Sequence, residues 1–64
     1  MNELEKVILS YIDALQSLFM VGRAETTSET AVGMLVNSGV VGRVERVEDN
    51  GVNRMMIFRR GYIG

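Results

Sequence analysis

Asn50-Gly51 stands between two runs rich in valine and long apolar residues, Val40–Glu48 and Val52–Arg60. A two-residue loop of that composition forms a type I′ turn, which needs positive φ at both positions and suits the twist of the strands it joins. With Asn50 and Gly51 as the loop, Asp49 pairs with Val52, Val47 with Arg54, Val44 with Ile57 and Arg43 with Phe58. One face of the hairpin then carries Gly42, Val44, Arg46, Met55, Ile57 and Arg59. The other carries Val41, Arg43, Glu45, Val47, Arg54, Met56, Phe58 and Arg60. Neither face is purely apolar. Either a bulge shifts the register, or the second face is also covered, as a partner chain would cover it.

Upstream, the period changes from two to 3.6. Leu4, Ile8, Tyr11, Leu15 and Leu18 are spaced 4, 3, 4, 3, which predicts one long helix from Asn2 to about Met20 with a heptad seam. Val7, Ile12 and Phe19 widen that seam, Glu3 and Glu5 suit the first turn, and Gly22 is a stop. The stripe is wider than one short helix can cover, so Leu4, Ile8, Tyr11, Leu15 and Leu18 are expected to form a dimer seam. Arg23–Thr30 is polar and reads as a connector that ends in a helix cap, supplied by Thr26 in a capping box with Glu29 or equally by Ser28. A second, shorter helix follows to about Ser38. Ala31, Val32, Leu35 and Val36 point inward, Glu29, Thr30, Gly33 and Asn37 outward, and Gly39 is the left-handed terminator. Tyr62 and Ile63 form a short tail able to tuck back. The expected fold is therefore a single α+β domain over residues 1–64: long helix, shorter helix, C-terminal hairpin.

Size then bears on assembly. For 64 residues, apolar burial and the ordering of the chain roughly cancel, each on the order of 95 kcal/mol. The chain has no cysteine and no histidine, so neither a disulfide nor a Cys/His metal site can staple it. Self-association is the remaining device, and a homodimer is expected. The N-terminus lacks the pattern of a secretory signal, because Asp13 interrupts its apolar run. The longest uncharged stretch, Thr30–Gly42, is too short to span a bilayer. A cytoplasmic protein with no membrane association is expected.

The same inventory argues against catalysis. The usual general bases and nucleophile partners are missing, and the carboxylates lack an enclosed apolar setting. No cofactor cradle or metal loop is present in the sequence. Charge is unevenly distributed: the net is −1, yet Arg43, Arg46, Arg54, Arg59 and Arg60 all lie on the hairpin, and arginine suits forked contacts with phosphate or carboxylate.

From Thr27 to Arg60 the chain resembles the latter half of a winged helix-turn-helix domain. The matching features are a helix opening at Ser28 and Thr30 with inward Val32 and Leu35, a glycine at Gly39 followed by Val40-Val41, and a charged hairpin about Asn50-Gly51. The resemblance implies that the second helix enters the major groove, with Thr27, Ser28, Thr30, Gly33 and Asn37 facing the bases. It implies that Arg43, Arg46, Arg54, Arg59 and Arg60 hold phosphates, as in a small homodimeric DNA-binding regulator. The competing expectation is a homodimeric protein–protein interaction module, an inhibitor or adaptor. Its warrant is the apolar content, the adaptable methionines and an edge strand open to augmentation.

Overall fold

The computed structural model describes residues 1–64 and runs α1 (Glu3–Met20), β1 (Arg23–Thr26), α2 (Glu29–Asn37), β2 (Val41–Asp49), β3 (Val52–Arg59). The α+β class, the long first helix, the shorter second helix and the hairpin are as expected. β1 is not. The three strands form one antiparallel sheet in the order β1-β3-β2, with Arg23 opposite Phe58 and Thr26 opposite Met55. Arg-Ala-Glu-Thr has little intrinsic strand preference; the β3 backbone beside it supplies the pairing, and Ala24 turns inward. No helix is long and apolar enough to cross a membrane.

Local chemistry sets the element ends. Asn2 caps α1: its side chain accepts from the Glu5 amide at 2.8 Å, and the Glu5 carboxylate accepts from the Asn2 amide at 3.0 Å. Ser28, not Thr26, caps α2, accepting from the Ala31 amide at 3.1 Å. Thr26 acts one step earlier, where its hydroxyl oxygen accepts from the Ser28 amide and so orients the cap. Asn50 and Gly51 adopt φ of 54° and 80°, as the turn requires. The expected hairpin pairs all form. A bulge between Val41 and Arg43 sets Val41 opposite Arg59. Val41 is thereby delivered to the inner face, which an unbroken register would not have done.

Both helices pack on that inner face. Ala14, Leu18, Ala24, Val32, Leu35, Val41, Met55 and Ile57 form the core cluster, with Tyr11, Leu15, Val40 and Val44 packed at its margin. Val36, expected inward, is exposed. The expected α1 seam is divided. Leu18 is wholly buried within the protomer, where a second chain cannot reach it, and Tyr11 and Leu15 lean on the core, while Leu4 and Ile8 are exposed. The helix turns its narrow face, Ala14 and Leu18, to the sheet and leaves the broad one outside.

Neither helix has a basic residue in its last turn, and the end of β3 supplies the missing charge. The Arg59 guanidinium donates to the carbonyls of Leu18 and Phe19 at 3.2 and 3.3 Å. Arg60 reaches the other helix end, its Nη1 lying 4.0 Å from where a Cβ on Gly39 would sit. Positive charge at a helix C-terminus is favourable. Arg59→Ala is expected to cost about 1–2 kcal/mol. Urea titration would read this as a lower midpoint at an unchanged slope; an unmoved midpoint would show that Arg59 does not hold α1.

Candidate nucleic-acid interface

The strand registers decide which charges share a surface. On the outer sheet face, away from the helices, β1 contributes Arg23 and Glu25, β3 contributes Arg54, Met56 and Phe58, and β2 contributes Arg43, Glu45 and Val47. A row Arg23–Phe58–Arg43 crosses all three strands at one end. Phe58 is buried beneath two covers. The Arg43 guanidinium lies 4.1 Å from its ring centroid, a cation–π contact, and the Tyr62 ring lies 5.5 Å away at a tilt of 34°.

The hairpin arginines divide by partner. Arg43 lies 3.5 Å from the Glu45 carboxylate. Arg46, on the inner face, bridges to Glu29 at the start of α2 at 3.1 Å. Arg54 sits between Glu25, at 3.9 Å, and Asp49. These side chains are half exposed, so each pair contributes at most about 1 kcal/mol and can exchange for another anion. Arg59 is committed to the α1 terminus. Arg60 has no carboxylate within ion-pair distance, and neither has Arg23 or Lys6. Arg23 joins the site only through the β1–β3 pairing, and its one local signal, the Arg-Ala-Glu alternation, is too short to read as a strand.

The residues expected to read bases are placed less favourably. Thr27, Ser28 and Thr30 line an open hollow of about 350 Å³ together with Glu3, Lys6, Ser10 and Glu29, beside the acidic first turn of α1. The Ser28 hydroxyl is engaged as the helix cap. Asn37 lies exposed at the far end of α2, apart from the others, and Gly33 faces open space.

No protein-family model matches the chain, and no curated protein or solved structure matches it either.

Proposed function

We propose that this is a small non-enzymatic protein that binds duplex DNA as a homodimer, in the manner of a winged-helix-like regulator. The observation that carries the reading is the sheet end where Arg23 and Arg43 flank Phe58 across the three strands, with Glu45 the only carboxylate paired to them, while Arg60 just after β3 has no carboxylate partner. At the opposite end of the sheet the hairpin tip projects, with every residue from Glu45 to Asn53 exposed and Arg54 half-buried at the margin that follows. Arg23 and Arg60 are the main phosphate contacts in this proposal. Arg43, Arg46 and Arg54 give weaker ones, because a carboxylate must first be displaced, and Arg59 positions α1. Contacts are mainly to the backbone, since the exposed face of α2 offers no cation.

The experiment is fluorescence anisotropy of a random duplex of about 20 base pairs, titrated at about 50 and 200 mM salt. Micromolar binding that falls steeply with salt is expected. Arg23→Ala and Arg60→Ala should each lower the magnitude of the salt slope by about one, and Arg54→Ala by less. No binding at the lower salt sinks the DNA reading.

A second reading has its own observation. Three of the five hairpin arginines already face carboxylates, and β2 is an unpaired edge of nine residues, a template for strand addition by a partner protein. A protein partner whose binding random duplex DNA fails to displace would decide for it.

A further inference from the structure

The largest feature that the fold leaves unused is one side of α1. At 100° per residue, Leu4, Ile8, Ile12, Leu15 and Phe19 fall within about 80° of one another around the helix axis. Leu4 and Phe19 are 67% and 66% exposed, and Ile8 and Ile12 are 43% and 44%. Charge is absent from this arc. Asp13 faces the hollow between α1 and β1 with Ser10, Glu25 and Arg54, and Lys6 faces the start of α2. A charge-depleted apolar centre is the compositional mark of a homodimer interface.

We infer that this face pairs with the same face of a second copy, with the two α1 helices antiparallel about a two-fold axis beside Ile12. Three observations select that occupant and orientation. First, the spacing is self-complementary when reversed. Leu4 meets Phe19 of the second copy, Ile8 meets Leu15, and Ile12 meets Ile12, so the largest exposed side chain covers the most exposed leucine. Second, the area is sufficient. These side chains expose on the order of 500 Å² of apolar surface, and a standard interface of about 800 Å² per partner, about 65% apolar in homodimers, needs the same amount. Third, charge selects the direction. Glu3 and Glu5 open α1 and no basic residue closes it. Arg59 holds its last carbonyls. Antiparallel pairing sets each acidic helix start beside the other copy's Arg59-capped helix end and opposes the two helix dipoles. Parallel pairing would place Glu3 and Glu5 against their own counterparts. The seam expected from the sequence thus moves one step round the helix, from Tyr11 and Leu18 to Ile12 and Phe19.

The inference rests on the homodimer part of the proposed function and not on its DNA part. The chain has no cysteine, so introduced thiols report without background, and a disulfide forms only where Cα atoms come within about 7 Å. Under mild oxidation Ile12→Cys is expected to cross-link to a covalent dimer. Leu4→Cys and Phe19→Cys should each fail alone, whereas the double variant should cross-link. Light scattering on the wild type should give twice the chain mass, and Ile12→Glu should halve it with an unchanged circular dichroism spectrum. Efficient cross-linking of Leu4→Cys alone would overturn the antiparallel arrangement while leaving a dimer in place. A wild type of single-chain mass at about 100 μM, a concentration at which an interface of this area would be populated, would overturn self-pairing altogether.

Discussion

Leu18→Ala is expected to lower the thermal midpoint by roughly 10 °C or more, among the largest effects of any single truncation in the chain. Leu18 is completely buried and is where α1 meets the rest of the core cluster, Ala24 on β1, Val32 and Leu35 on α2, and Met55 and Ile57 on β3. Emptying such a site costs about 2–5 kcal/mol, because the neighbours collapse only partly into the space. A domain of this length has a total stability of about 3–10 kcal/mol, so the loss is a large fraction of it. Only 11 of the 64 residues are buried, so no second core can hold the helix. Thermal unfolding followed by circular dichroism, with Ile63→Ala as the exposed comparison, checks this. Equal midpoints for the two variants would mean that α1 is not anchored through Leu18.

Gly22→Ala is expected to follow at about 2–3 kcal/mol. Gly22 has a φ of 88°, where a side chain costs about 1–2 kcal/mol. The backbone cannot rotate away from it, because its amide donates to Ser17 at 3.1 Å and its carbonyl accepts from the Arg59 amide at 2.9 Å. A Cβ there would also collide with Cδ1 of Tyr62, so the ring must shift on Phe58. The two contributions separate in a double-mutant cycle. Adding Tyr62→Ala should remove the collision and leave the conformational cost, and Gly22→Asn should cost less than alanine in that background, because asparagine tolerates left-handed geometry. Strict additivity of the Gly22 and Tyr62 effects would show that the two do not touch.

What was legible in the sequence was whatever neighbouring residues decide among themselves. Asn50-Gly51 fixes its own turn, and with it the ladder from Asp49–Val52 to Arg43–Phe58. Gly39 and the Ser28 cap bound α2 in the same way. Strand β1 was not legible, because Arg23–Thr26 becomes a strand only when β3 lies beside it. The bulge at Gly42 was foreseen as a possibility but not placed, since the helices that require Val41 on the inner face lie elsewhere in the chain. The division of α1 into a packed and an open face was misjudged for a related reason. Periodicity gives the width of an apolar stripe, whereas the docking of Ala14 and Leu18 against the sheet decides which part is used. Among the candidate site residues, the hairpin supplied the arginines, but their partners are distant in sequence: Glu29 for Arg46, Glu25 for Arg54 and the α1 carbonyls for Arg59. Charge counting therefore overstated how many are free.

The central position of β3 has a consequence for the order of assembly. Both ladders are built on this strand, and it follows both of its partners along the chain. During synthesis β1 and β2 emerge with nothing to pair with, so the sheet cannot begin until β3 has been made. The β2–β3 hairpin can then close within microseconds. Pairing of Arg23 with Phe58, across more than half of the chain, carries the greater loop-closure cost and comes later. Because Arg59 immediately follows Phe58, that late step also brings its guanidinium to the end of α1, so the first helix to be made is the last to be fastened.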